Sequence, residues 1–135
     1  MKTMDQSLNE EKVAELLSFL SFFEKGNGRR IKWLGGERNK DGSVTMPFPD
    51  YPEEVIRFFR AAAQPWWTDG SYLAAKPKLM LETGLENADM EKMKSVLTYC
   101  TRGERFCDGF WAELIESGAL VRVLKKIEEL WYQRG

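Results

Sequence analysis

Apolar residues recur at helical spacing over the first part of the chain, which predicts an amphipathic helix. Ser7 and Glu10 form a capping box at its start, and the glycines in residues 26–28 predict its end. Phe19 and Phe22 widen the apolar face beyond a single stripe. A face this wide is typical of a helix that is central to a core or contributes surface to a partner. Phe19 and Phe22 are therefore candidate partner-surface residues.

A β-hairpin is predicted directly after this helix. In residues 30–33, and again in residues 43–48, apolar side chains alternate with polar ones, as they do in half-buried strands. Residues 35–42 between them are polar and rich in glycine, as expected for a connection. The alternation puts Trp33 in phase with Ile31, so we expect Trp33 to face the core.

Four further helices are predicted from caps, apolar periodicity and glycine or proline stops. The pattern therefore predicts a mainly α fold, with about five helices around a single core, a short β-hairpin after the first helix, and one domain over residues 1–135. Residues 65–86 show no pattern that assigns them to an element. The four later helices are predicted to begin near Asp50, Asn87, Thr101 and Ala119, and to end near Gln64, Cys100, Ser117 and Tyr132.

Two adjacent tryptophans, Trp66 and Trp67, lie in the unassigned segment. Neighbouring side chains cannot both face inward on a regular element, so one of them is expected at the surface. Trp67 is accordingly grouped with Phe19 and Phe22 as a candidate partner surface. The alternative is that both indoles cover the core, with each N–H bonded to a nearby carbonyl.

The composition excludes several classes of function. The 135 residues contain 20 basic and 21 acidic side chains, and the net charge of −1 argues against a protein that coats nucleic acid or an acidic membrane. Histidine is absent from the chain, which excludes histidine-assisted nucleophiles and histidine metal ligands. Without a recognisable catalytic or cofactor motif, we expect no cofactor, no metal and no enzymatic activity.

The cysteines and the N-terminal residues predict a cytoplasmic protein. Cys100 and Cys107 are seven residues apart, and on one helix they would be too distant for a disulfide. We expect both to be reduced thiols. The chain begins without the apolar stretch of a signal peptide, and its most apolar run, residues 16–23, is too short to span a bilayer.

The densest group of charged residues is Arg102, Glu104, Arg105 and Asp108. Thr101 and Glu104 have the spacing of a capping box, which places this group at the predicted start of the fourth helix. Two arginines beside free helix amides would suit a small anion such as phosphate. The alternative is structural, with the arginines bonding the last carbonyls of the preceding helix and stabilising the elbow.

The predicted hairpin also carries a basic strip with one aromatic residue. Such a strip could follow the phosphates of a single strand and stack a base on the indole of Trp33. The remainder of the chain is not basic, so nucleic acid is the least favoured ligand. The basic residues of the strip are Arg29, Arg30, Lys32, Arg38 and Lys40.

Between Val13 and Trp131 the chain resembles a family of small bacterial and archaeal proteins described as domain of unknown function 6508. One part of the resemblance is in residues 33–36, 46–48, 51–55 and Phe58. The other is in residues 102–109 and 116–118 and in the final helix around Leu124. The resemblance implies a small, mostly helical domain, and it implies no activity, substrate or catalytic residue.

These observations predict a non-enzymatic interaction module that binds a protein partner or a second copy of itself. The wide apolar face at Phe19 and Phe22 and the amphipathic last helix favour this function. A small-anion or phosphate-binding protein that uses Arg102 and Arg105 is the alternative. Binding of single-stranded nucleic acid through the hairpin is a weaker alternative.

Overall fold

The computed structural model describes residues 8–25, 31–44, 46–105 and 107–133. Within these residues the fold is mainly α with a small antiparallel hairpin after the first helical segment, as predicted. Ser7, residues 26–28, Arg29 and Arg30 lie outside the described residues. The helices are α1 (Glu10–Leu17), α2 (Leu20–Lys25), α3 (Glu53–Ala62), α4 (Pro77–Thr83), α5 (Met90–Gly103), α6 (Phe110–Glu116) and α7 (Ala119–Tyr132), and the strands are β1 (Lys32–Leu34) and β2 (Phe48–Asp50).

The predicted first helix is two helices, α1 and α2, separated by a turn at Ser18 and Phe19. The Ser18 hydroxyl donates a hydrogen bond of 2.6 Å to the Glu15 carbonyl, which is one way that serine competes with helical hydrogen bonding. The cap at the start of α1 is Asn9, whose side chain accepts from the Lys12 amide at 2.9 Å. The aromatic face of the predicted helix is therefore divided between two segments.

The segment that could not be assigned, residues 65–86, contains a 3₁₀ helix (Tyr72–Ala75) and the short helix α4. Lys76 joins them in a left-handed conformation with φ of 53°. Pro77 occupies the first turn of α4, where proline lacks only an amide that would have no helical partner. That proline is the one local signal of α4, and two turns are too short for a clear apolar period.

The core forms around α7, which contacts α1, α2, α5 and α6. Leu16 and Leu124 are completely buried, whereas Phe110 is only partly buried. Trp67 is 0% exposed, so its predicted place on a partner surface is wrong. The segment after α3 is irregular rather than a regular element, so Trp67 can be enclosed while Trp66 is only partly covered.

The two indole N–H groups of Trp66 and Trp67 are buried without a hydrogen-bond partner among the described residues. The expectation that each would bond a nearby carbonyl is therefore wrong. The ammonium of Lys12 lies 4.3 Å from the centroid of the Trp66 ring, which provides a cation–π contact instead. Trp66 thus contributes through its ring face, and Trp67 through its complete burial in the core.

Hydrogen bonds at the turn around Asp69 link the irregular segment to α5. The Ser95 hydroxyl donates to the Asp69 carboxylate at 2.6 Å, and the Ser71 amide donates to the same carboxylate at 2.9 Å. The Asp69 amide in turn donates to the Thr98 hydroxyl at 3.0 Å. Ser95 and Thr98 are the buried polar side chains of α5, and these bonds satisfy them.

We expect the contribution of this turn to the free energy of unfolding to fall as the pH becomes acidic. The hydrogen bonds from Ser95 and Ser71 lower the pKa of Asp69 below its usual value of 3.8. A lowered pKa stabilises the fold above pH 3.8, and that stabilisation is lost as pH falls toward the pKa in the folded state. Urea unfolding should show Asp69→Asn to be less stable than wild type at pH 6, with the difference shrinking below pH 3.8.

Glu37→Gln is the matched control for that experiment, because Glu37 is exposed in the hairpin connection. Its unfolding free energy should follow that of wild type at every pH. A constant difference between Asp69→Asn and wild type over the whole acid range would contradict the role given to Asp69.

Candidate functional site

The elbow between α5 and α6, residues 104–109, is held by the carboxylate of Glu104. One oxygen, Oε1, accepts from the Trp111 amide at 2.9 Å, and the other, Oε2, accepts from the Gly109 amide at 2.9 Å. Glu104 therefore satisfies amides at the start of α6, as a capping carboxylate does. Thr101 lies within α5, where its hydroxyl donates to the Leu97 carbonyl, so the predicted helix start at Thr101 is wrong.

The Tyr51 hydroxyl links the segment before α3 to this elbow through two hydrogen bonds. Its hydroxyl donates to Oε1 of Glu104 at 2.9 Å and accepts from the Ala112 amide at 3.1 Å. Burial, and then the hydrogen bond to the Glu104 carboxylate, raise the pKa of Tyr51 above its usual value. The phenol therefore remains neutral and keeps its proton on the bond to Glu104.

Trp111, in α6, hydrogen-bonds back to the end of α5. Its indole N–H donates to the Cys100 carbonyl at 3.0 Å and to the Thr101 carbonyl at 3.3 Å, both in the last turn of α5. The end of α5 and the start of α6 are thus capped by each other's side chains. The predicted structural role of this segment is filled by Glu104 and Trp111 rather than by the arginines.

The four residues of the predicted anion site lie in different places: one is in α5 and three are in the elbow. Arg102 lies in the last turn of α5, with its guanidinium carbon 5.3 Å from the centroid of the Tyr72 ring. Arg105 and Asp108 are exposed in the elbow itself. Arg102 therefore lies in the last turn of α5 and Arg105 follows it, and amides at the start of α6 already bond Glu104. Whether this segment binds an anion stays a prediction.

A groove of about 460 Å³ runs between α3 and the elbow. Part of its wall is a stacked pair of rings, Phe59 and Trp111, with centroids 4.0 Å apart and planes 6° from parallel. The sequence pattern does not predict this groove, because its two walls, residues 56–63 and residues 101–111, come from segments that are distant along the chain. The lining residues are Ile56, Phe59, Arg60, Ala63, Thr101, Glu104, Arg105 and Trp111.

The two arginines of this groove differ from their neighbour on α3. Arg57 forms an ion pair with Glu53 at 2.9 Å on the exposed side of the helix. Arg60 and Arg105 form no ion pair with any residue that the structure describes. Both guanidinium groups are exposed at residues that line the same groove.

The hairpin lies against the elbow. β1 and β2 pair antiparallel, with Trp33 opposite Pro49 and Leu34 opposite Phe48. Gly109 has a φ of +91°, and a Cβ atom placed there would lie 2.6 Å from the Trp33 ring. Glycine is thus favoured by the backbone conformation, and a larger residue would also displace the Trp33 ring. Trp33 packs on this backbone yet remains 47% exposed, so the prediction that it faces the core is wrong.

Exposed apolar side chains are concentrated on the hairpin and its connection. Four of the eight large apolar residues exposed in the described part of the chain lie in residues 33–48. Their exposed fractions range from 44% to 79%, whereas Ile31, just before β1, is buried. We call Val44, Met46 and Phe48 the hairpin surface; Trp33 lies outside it, because the strand register places its side chain on the opposite face of the sheet from Phe48.

The remaining predicted surface residues are only partly accessible. Phe19 and Phe22 are half-buried and pack edge-on against Phe58 and Phe23, respectively. Of the basic strip, the structure describes Lys32, Arg38 and Lys40, all of which are exposed.

The thiols and the acidic side chains give no sign of a metal centre. Cys100 is buried, and burial raises its pKa to about 12, whereas Cys107 is exposed; neither forms a disulfide. Among the described residues, no three side chains of the types that ligate metals are grouped for an ion. Nor does any described helix have the length and apolar character needed to cross a bilayer.

No curated protein and no solved structure is significantly similar to this chain. One protein family does match: the family described as "Family of unknown function (DUF6508)" covers residues 8–133 of the 135. This match includes the hairpin, the elbow and the seven helices of the described residues. The chain therefore belongs to this family of unknown function.

Proposed function

We propose that the protein is a cytoplasmic, non-enzymatic interaction module that forms a homodimer through the hairpin surface. The observation that carries the proposal is the exposure of Val44, Met46 and Phe48, three of the eight large apolar residues exposed in the described part of the chain, at alternate positions of one short segment. Soluble monomers seldom expose grouped apolar side chains unless these bind something. Two free cysteines and a chain without histidine are consistent with a non-catalytic protein of a reducing compartment.

A second copy is favoured as the partner because the hairpin carries both signs of charge. A two-fold interface places each surface against itself, so it is self-complementary only if basic and acidic groups are interspersed. The net charge of −1 adds little repulsion between copies. A two-stranded sheet also leaves strand edges available for pairing with another chain. The exposed charged residues are Lys32, Glu37, Arg38, Lys40, Asp41 and Asp50.

The test is the molar mass in solution, measured by sedimentation equilibrium or light scattering. We expect a mass near twice the 15.7 kDa of one chain. A double change of Met46→Asp and Phe48→Asp should raise the dimer dissociation constant by at least about tenfold, because burying either carboxylate unpaired is costly.

Leu79→Asp is the matched control, since Leu79 is an equally large exposed apolar residue that lies on α4 instead of the hairpin. It should leave the dimer unchanged. A wild-type mass of one chain at about 100 μM would overturn the homodimer. A dimer that survives Met46→Asp with Phe48→Asp would overturn the hairpin as its interface.

A further inference from the structure

The groove between α3 and the elbow combines an apolar wall with positive charge. Ile56, Phe59, Ala63 and Trp111 supply the apolar part, in which the ring of Trp111 is stacked on the ring of Phe59. A volume of about 460 Å³ is within the range of small-molecule pockets, roughly 300–1,000 Å³. This size suits an organic molecule with one aromatic ring better than a polymer.

The groove carries unpaired positive charge, which favours an anionic ligand. Arg60 comes from α3 and Arg105 from the elbow, and neither has an ion-pair partner among the described residues. Glu104, the one carboxylate among the described lining residues, already accepts three hydrogen bonds from Gly109, Trp111 and Tyr51. Both of its oxygens are engaged within the elbow, and it forms no ion pair with Arg60 or Arg105, so the two guanidinium groups remain available to a ligand.

From this geometry we propose that the groove binds an aromatic phosphate monoester. Guanidinium groups present planar, forked donors that match phosphate oxygens, and two of them suit a dianion better than a monoanion. The aromatic body of the ligand would lie on the apolar wall beside Trp111. This site uses Arg105, as the sequence suggested, with Arg60 in place of Arg102, whose guanidinium lies over the Tyr72 ring. It is independent of the hairpin surface.

The test is an NMR titration of the full chain with phenyl phosphate, inorganic phosphate and phenol as separate probes. The indole N–H signal of Trp111 and the backbone amide of Arg105 report on the groove. Phenyl phosphate should bind at least about tenfold more tightly than either other probe, because only it contacts both the arginines and the apolar wall. The change of Arg60→Gln together with Arg105→Gln should weaken its binding by about tenfold or more.

Arg122→Gln is the matched control, since Arg122 is exposed and lines a different cavity beside α7. Its affinity for phenyl phosphate should remain within about twofold of wild type. Both arginine residues of the groove are exposed, and unchanged thermal unfolding of the double variant would show that the fold is intact. Three results would each overturn the proposal: no saturable binding of phenyl phosphate, equal affinity for inorganic phosphate, or an unaffected double variant.

Discussion

Replacement of Phe58 by alanine is expected to lower the free energy of unfolding by about 4 kcal/mol. Phe58 is 0% exposed, and its ring packs at centroid distances of 5.7, 5.0 and 4.9 Å from Phe19, Phe23 and Phe59. These contacts join α2 and the turn before it to α3. Truncation would leave a cavity at the centre of this aromatic cluster and remove several edge-to-face contacts.

Urea unfolding measures this effect, and Ile56→Ala provides the comparison on the same helix. Ile56 is exposed, so its truncation should cost less than about 1 kcal/mol. If Phe58→Ala does not fold, Phe58→Leu gives the milder test, with an expected loss of about 1.5 kcal/mol. Equal losses for Phe58→Ala and Ile56→Ala would contradict the central place of the Phe58 ring.

The second large effect is expected at Glu104, where alanine should cost about 3 kcal/mol. The change removes the acceptor of three donors, the amides of Gly109 and Trp111 and the hydroxyl of Tyr51. Each is partly buried, and a buried donor without a partner carries most of its desolvation cost. The start of α6 also loses its capping carboxylate.

A conservative change separates hydrogen bonding from packing at this position. Glu104→Gln keeps the size of the side chain but retains one acceptor oxygen, so we expect a smaller loss of about 1.5 kcal/mol. Glu113→Ala is the control on α6, because Glu113 is exposed and should change stability by less than about 0.5 kcal/mol. A Glu104→Ala variant as stable as Glu113→Ala would show that the elbow does not depend on this carboxylate.

The sequence predicts the structural role of Phe58 better than that of Glu104. Phe58 recurs with Val55, Phe59 and Ala62 at helical spacing between Asp50 and Gln64, where a helix is predicted, and its burial in α3 agrees with that periodicity. Glu104 was identified as a cap, but for a helix that would start at Thr101. Its partners are instead at Gly109 and Trp111, after an irregular loop, and at Tyr51, which is 53 residues earlier.

The sequence alone determined the features that depend on neighbouring residues. Helix α7 spans Ala119–Tyr132 as predicted, and α6 ends before Ser117 and Gly118, because a sustained apolar period and a glycine stop act within a few residues. The mainly α class and the presence of a hairpin follow from the same local signals.

Only the tertiary structure decided which side chains are exposed and which meet. Trp67 is enclosed and Trp33 remains half exposed because their surroundings come from distant segments, α5 for Trp67 and the elbow for Trp33. The groove with Arg60 and Arg105 exists because α3 packs beside the elbow. The hydrophobic periodicity indicates which face of an element is apolar, but long-range packing decides which neighbour covers that face.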